Sequence, residues 1–398
     1  MISEDPLVGK FAAFRSTIFA EMTALAHRTG AINLGQGFPD SDGPPELLSA
    51  AVEAVRSGHN QYPPLPGVPA LRIAVAEQRA ADYGTPYDPD TEILVTAGAT
   101  EAIAAAIAAL VPAGDEVLVF EPYYDSYGAA IALAGAVRRT VRLRPAGDRF
   151  TFDPDELAAA VTPRTRAILV NTPHNPTGTV LSAAELAVIA GICERHDLIA
   201  IADEVYEHLV FDGVRHVPLA SLPGMASRTL TISSAGKTFN TTGWKIGWVC
   251  GPAPMVAAVR TVKQYLTFAG GTPFQHAVAA VLPGRHRWLD GLRARLTAAR
   301  DTLRDTLTSA GWRCFACQGT YFLQVDTRSV GYGDGTALCQ DLATRAGVVA
   351  IPSGAFYADP AGGRELVRFA FCKSPAVIAT AAGRLAGFAA NTHREGAA

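Results

Sequence analysis

Lysine is scarce in this chain. Only Lys10, Lys237, Lys245, Lys263 and Lys373 occur in 398 residues. Arginine carries the remaining basic charge, and a guanidinium stays protonated and cannot condense with a carbonyl. Lys237 stands in Ser233-Ser234-Ala235-Gly236-Lys237-Thr238-Phe239, where small residues let backbone and amine approach a ligand closely. A free lysine, with a pKa near ~10.4, is a poor nucleophile at neutral pH; desolvation or a neighbouring cation lowers that value. A lysine so tuned forms a Schiff base with an aldehyde. The company it keeps would suit an aldehyde on a phosphorylated pyridine. Asp203 closes the run LIAIAD and could keep a ring nitrogen protonated, making the ring an electron sink. Tyr206 and Asn175 could reach a ring hydroxyl. Ala99 and Thr100 begin a helix, whose free N–H groups bind phosphate well. Lys245 follows Gly243-Trp244 and could offer that phosphate a cation.

Each residue also has a plainer explanation. Asp203 could cap a helix from Glu204 onward, and Tyr206 could be an ordinary tyrosine on it. Asn175 lies in His174-Asn175-Pro176-Thr177-Gly178, which is good turn chemistry by itself. Lys245 could be a solvated surface residue. Gly236-Lys237-Thr238 could end a phosphate-binding P-loop, but that motif requires glycine at position 231, where threonine stands.

The elements that would position these groups alternate. Glu92 to Thr96 reads as a buried strand, Ala97-Gly98-Ala99 as a tight turn, and Thr100 to Leu110 as an alanine-rich helix closed by Pro112 and Gly114. Strands follow at Glu116 to Phe120, Arg166 to Val170, Leu198 to Ala202 and Thr229 to Ser233. Helices start at Asp153-Pro154 and at the capping box of Ser182 and Glu185. Short apolar strands between helices predict an α/β fold with a mostly parallel sheet covered on both faces. Ligands of such sheets bind beyond the carboxyl ends of strands, where Gly98 to Thr100, Asn175, Asp203 and Lys237 all fall.

The length exceeds one ordinary core and predicts two domains. Residues 45–280 would form the large ligand-binding domain. Residues 281–398 would form a smaller α+β domain, with a long arginine-rich helix from near Arg285 to Ala310 and strands at Thr320 to Val325, Val348 to Ile351 and Leu366 to Phe371. Residues 1–44 would join that smaller domain through the Gly-rich stretch at Ile32 to Gly37. A net charge of -3 argues against nucleic acid or an anionic membrane as partner. No apolar run approaches the roughly 20 residues of a membrane helix. Glu4 and Asp5 make the first residues polar, unlike a signal peptide. Six scattered cysteines, including the Cys314/Cys317 pair, lack zinc-site spacing and predict free thiols, no metal and a cytoplasmic setting.

Nine segments together carry a family resemblance: INLGQGFPD (32–40), NQYPP (60–64), VTAGATEAI (95–103), EPYYDSY (121–127), NTPHNPTG (171–178), ADEVYEHLVFDG (202–213), SSAGKTFNTTGWKIGW (233–248), GTYF (319–322) and VRFAFCK (367–373). The sequence resembles the fold-type I pyridoxal-phosphate aminotransferases of class I/II, with their seven-stranded type of sheet. Within them it is similar to the kynurenine, glutamine and methionine branch and to actinobacterial enzymes of N-succinyl-diaminopimelate transamination. The resemblance implies pyridoxal 5'-phosphate on Lys237, which would also act as general base and acid. It implies that Asp203 pairs with the ring nitrogen, that Asn175 and Tyr206 contact the ring oxygen, and that Tyr124 stacks on the ring. Ala99, Thr100, Ser234 and Lys245 would bind the phosphate, with Tyr62 reaching it from the partner of a homodimer. Arg368, with backbone help at Gly37, would clamp the substrate α-carboxylate; alone, Arg368 reads equally as a salt bridge within the smaller domain. The substrates implied are an amino acid and a 2-oxo acid. Phe19, Phe268 and Phe356 are candidates for an apolar substrate wall, or for plain core. The branch often has an aromatic at the place of Thr100 and tryptophan at that of Phe19, and these departures argue against kynurenine itself. A cysteine-conjugate β-lyase or an amino-acid oxidase on the same fold is the alternative activity, because one carbanion can partition in several ways.

Overall fold

A computed structural model describes residues 9–14 and 17–395; Glu4 and Asp5 lie outside them. The strands are β1 (Ile32–Asn33), β2 (Ile93–Ala97), β3 (Glu116–Glu121), β4 (Val137–Arg142), β5 (Arg144–Ala146), β6 (Arg149–Thr151), β7 (Thr165–Asn171), β8 (Ile199–Asp203), β9 (Thr229–Ser234), β10 (Ile246–Cys250), β11 (Arg313–Cys314), β12 (Phe322–Asp326), β13 (Val348–Val349), β14 (Ile351–Pro352) and β15 (Leu366–Ala370). Four helices near the N-terminus are α1 (Ile18–Thr29), α2 (Pro45–Arg56), α3 (Pro69–Tyr83) and α4 (Gly98–Leu110).

Seven strands form one sheet in the order β2-β10-β9-β8-β7-β3-β4. Only β10 runs against its neighbours. The others are parallel, as their runs of buried Val, Ile and Leu require: such strands are covered on both faces. Alternation along a strand assigns each side chain to a layer. Val117, Val119, Leu169, Ile201 and Ile232 pack beneath α4 on one face. Leu118, Phe120, Ile168, Val170 and Ala200 pack on the other, against Leu186, Ile189 and Ile192 of the helix Ala183–Arg195. That helix starts as expected, with both bonds of the Ser182/Glu185 capping box present. Asp153 likewise caps the helix Pro154–Ala160.

A second, antiparallel sheet has the order β11-β12-β15-β14. The 25-residue helix Arg285–Ser309 flanks it through Leu296, Leu303 and Leu307. The strand β1 pairs in parallel with β13, so the stretch near residue 32 is tied to this C-terminal part of the chain.

Several boundaries differ from expectation. The tight turn at Ala97-Gly98-Ala99 is shorter, because α4 already begins at Gly98, which takes a φ of 74°. The strand expected at Thr320 to Val325 starts only at Phe322, because Thr320 adopts a left-handed φ of 68°. Val348 to Ile351 splits into β13 and β14, which pair with different partners. No helix follows Asp203: residues 204–209 form turns, which removes the helix-cap explanation for this aspartate. Strands β4 and β10 have no counterpart in the sequence-based expectations.

Strand β10 meets α4 closely. A Cβ on Gly247 would lie 2.6 Å from the carbonyl carbon of Gly98 and 2.8 Å from the nitrogen of Ala99. Neither backbone can yield without shifting the start of α4. Gly247→Ala is therefore expected to lower stability by about 1–3 kcal/mol. Urea unfolding of the variant beside the parent protein measures this, and an unchanged midpoint would show that the helix start can move freely.

Candidate active site

The parallel strands all deliver their C-terminal ends to one edge. β7 ends at Asn171, β8 at Asp203, β9 at Ser234, and β2 leads directly into α4. The antiparallel β10 begins at that same edge, which is how Lys245, just before Ile246, reaches it. A cavity of about 280 Å³ opens there. Its walls include Ala99, Thr100, Tyr124, Asn175, Asp203, Tyr206, Ser234, Lys237, Lys245, Phe19, Gly37 and Arg368. The residues picked from the sequence for cofactor or substrate are thus brought together, except Tyr62 and two of the three wall candidates, Phe268 and Phe356.

Lys237 sits one residue after Gly236, in the short helix Ala235–Thr238. Its Nζ donates to the Tyr321 hydroxyl at 3.1 Å, and that hydroxyl donates to the Gly37 carbonyl at 2.7 Å. Burial against these groups lowers the amine from its usual range to about 8. Asp203 is buried, 4 % exposed. One of its oxygens accepts from the Tyr127 hydroxyl at 2.5 Å and the other from the Val205 N–H at 3.3 Å. Burial pushes this carboxyl up to about 6, while the Tyr127 bond, the Val205 N–H and the Lys237 charge oppose the rise. No ion pair joins Lys237 to Asp203 among the described residues, so the cavity separates two opposite charges.

Arg368, on β15, is 1 % exposed. Its terminal nitrogens donate to the Asn175 Oδ1 at 2.9 Å and the Gly35 carbonyl at 2.8 Å, and its Nε has no partner. The salt bridge weighed as its plainer role is not made among the described residues. The guanidinium instead lies 4.0 Å from the Phe322 ring centroid, 4.8 Å from Phe356 and 5.3 Å from Phe19. Desolvation lowers it to about 10. A buried cation with no anion of its own is costly and is poised to receive one.

The remaining groups fit a phosphorylated heterocycle. The first N–H groups of α4 have no intrahelical partner. A Cβ on Gly98 would lie 3.2 Å from the Lys245 Nζ, so glycine lets this ammonium stand against the helix start. Ser234 caps the lysine-bearing helix, its Oγ accepting from the Gly236 N–H at 3.2 Å. Asn175 lies in the expected turn, closed by Gly178 N–H to His174 O at 2.8 Å, and also lines the cavity. Asn171 fixes it by accepting from its N–H at 2.7 Å. Lys245 has an exposed side chain, yet it lines the cavity.

Tyr62 stays outside, 80 % exposed, with its ring against Phe268 at 5.5 Å. Phe268 accordingly does not line the cavity and is corrected as a wall residue. Phe356 is corrected too: it is wholly buried behind Arg368, and only Phe19 of the three reaches the cavity. Tyr127, Tyr321 and Asn171 were given no role from the sequence. They stood inside the quoted segments EPYYDSY, GTYF and NTPHNPTG, but only the fold shows which hydroxyl or amide meets Asp203, Lys237 or Asn175.

Known proteins are similar to this chain over nearly its whole length. Residues 29–385 match the family Aminotransferase class I and II. The chain is 55% identical over 387 residues to a probable N-succinyldiaminopimelate aminotransferase of Mycobacterium tuberculosis, covering 95% of this chain and 97% of that one. It is 42% identical to the methionine aminotransferase of Escherichia coli, covering 96% and 99%. The solved structure of N-succinyldiaminopimelate aminotransferase from Mycobacterium tuberculosis superposes with a TM-score of 0.94, over 96% of this chain and 100% of that one. By both sequence and fold this chain belongs to the class I and II aminotransferases.

Proposed function

We propose that this aminotransferase binds pyridoxal 5'-phosphate through Lys237 and works as a cytoplasmic homodimer on an amino acid with a long side chain. The single observation that carries the cofactor assignment is the lysine amine facing a buried carboxylate across a cavity, with no ion pair between them among the described residues. When bound, the cofactor supplies an aldehyde that takes up amines and a protonated ring that draws electrons from the reacting carbon.

The chain's own residues do the rest. Lys237, once free, holds and returns the α-proton; its amine, lowered to about 8, needs little help to lose a proton near neutral pH. Tyr321 keeps that amine oriented. Asp203 holds negative charge toward the ring nitrogen, and Asn175 with Tyr206 orients the ring oxygen. Tyr124 covers the ring face. The α4 start, Ser234 and Lys245 bind the phosphate, completed by Tyr62 from the partner. Arg368 takes the substrate α-carboxylate in a fork that suits its planar geometry. Phe19 and the half-exposed Phe38 form an apolar approach that excludes water.

The assignment to long side chains is supported by the relatives' names, N-succinyl-diaminopimelate and methionine enzymes, and by the wall at Phe19, Gln36 and Phe38. The pairing of β1 with β13 supports a division into residues 1–44 with 281–398 and 45–280. Six unpaired thiols support a reducing compartment. The exposed Tyr62 and Phe268 support a dimer contact beside the cavity.

Lys237→Ala is expected to lose the visible band formed with pyridoxal phosphate and roughly 100- to 10,000-fold or more of the turnover rate. Wild-type turnover in that variant would end the assignment. In the parent protein, capture of pyridoxal phosphate should speed up as pH rises through about 8, because the neutral amine is the attacking form. Arg368→Ala should cost about 2–5 kcal/mol in kcat/KM, mostly as weaker dependence on a donor α-carboxylate. An amine lacking that carboxylate should lose little, and equal losses for both substrates would refute the clamp. In a panel of donors, N-succinyl-diaminopimelate and methionine should exceed aspartate. A preference for aspartate, whose side chain is short, would overturn the side-chain assignment.

A further inference from the structure

Tyr127 belongs to no role discussed so far, yet it touches two of the groups that would hold the ring. It lies in the first turn of the helix Ser126–Leu133 and is 1 % exposed. Its hydroxyl donates to the Asp203 carboxylate at 2.5 Å. Its ring meets the Tyr124 ring edge to face, with centroids 5.8 Å apart at 88°. Its N–H donates to the Tyr124 carbonyl at 3.0 Å, which locks the two residues into one turn. It also forms part of the cavity wall.

The groups around Asp203 explain why a donor is needed. Glu204 follows it in sequence, but that carboxylate is occupied by Arg79 at 3.3 Å and His216 at 3.1 Å. Lys237 favours the charged form from across the cavity without touching it. Tyr206 and Tyr124 face the same carboxylate and add no positive charge. The hydroxyl of Tyr127 and the Val205 N–H are the two donors that bond to the Asp203 oxygens among the described residues. A carboxylate in an apolar site keeps its charge only where such bonds replace water.

We propose that Tyr127 is a positioning residue for amino transfer: its hydroxyl keeps Asp203 ionised and aimed, and its ring braces Tyr124, so that acid and aromatic cover are set as one unit. The inference rests on the proposed binding of pyridoxal phosphate, with Asp203 at its ring nitrogen. Tyr127 acts through these neighbours and takes no proton from substrate.

The test uses the cofactor-loaded protein. Tyr127→Phe keeps the brace and removes only the hydroxyl. Its acid limb of kcat against pH should move upward by about one to two pH units, the size expected for losing a bond to a charged group. The pH dependence of the visible spectrum should move with it, and pyridoxal phosphate should dissociate at least about tenfold faster. In an Asp203→Asn background the same substitution should change the dissociation rate little, because the charge it serves is gone. A Tyr127→Phe protein with wild-type spectrum, pH profile and cofactor release would overturn the role of the hydroxyl, as would an equal effect in both backgrounds. If the parent protein itself takes up no pyridoxal phosphate, the cofactor assignment falls first, and the two failures are told apart.

Discussion

Charge held away from water organises this molecule. Lys237, Asp203 and Arg368 line one cavity, and none forms an ion pair with another among the described residues. Each would relax to a cheaper state if the chain allowed it. The ammonium could pair with the carboxylate, and the guanidinium could turn to any acid nearby. What prevents collapse is that each is tied to neutral partners: a tyrosine hydroxyl for Lys237, a tyrosine and a backbone N–H for Asp203, an asparagine oxygen and a carbonyl for Arg368. Neutral dipoles orient a buried charge without cancelling it, which leaves its field available to a ligand.

The sheet explains why such an arrangement can be rigid. Its central strands are covered on both faces by Val, Ile, Leu and Phe side chains. The polar groups that line the cavity stand at or beyond strand ends, where the backbone leaves the sheet. The reversed β10 adds a cation at an edge that parallel strands otherwise supply with their C-termini, since it enters where they leave. Gly98 and Gly247 let α4 and β10 approach closely enough for Lys245 to stand against the helix start. Backbone placement and charge placement are therefore the same design problem here.

Much of this was legible in the sequence, and the limits are physical. Lys237 and Asp203 stand out because a rare or charged residue follows an apolar strand, and Asn175 because it stands in a turn signal; Arg368 was reached only through the family resemblance. Strand β10 was missed because it follows β9 after only eleven residues, with just the four-residue helix Ala235–Thr238 and one further turn between them to mark a new strand. Thr320 shortened an expected strand because its left-handed backbone cannot continue a ladder. Phe356 and Phe268 were named as wall candidates because aromatic side chains look alike in sequence; only packing distinguishes a ring behind the arginine from one at the surface. Tyr127 and Tyr321 escaped for the same reason, since the direction of a hydroxyl is decided by contacts 76 and 84 residues away.

The same contacts join the two sheets at the cavity. Arg368 rises from the antiparallel sheet and holds Asn175, which follows β7 of the parallel one. Tyr321, just before β12, holds Lys237, which follows β9, and reaches Gly37 beyond β1. A carboxylate arriving at Arg368 would meet the Nε–H, which has no partner among the described residues, and the second hydrogen of each terminal nitrogen, because the bonds to Asn175 and Gly35 use only one donor on each. The guanidinium could therefore bind an anion without giving up the contacts that hold it to the turn after β7 and to the stretch beyond β1.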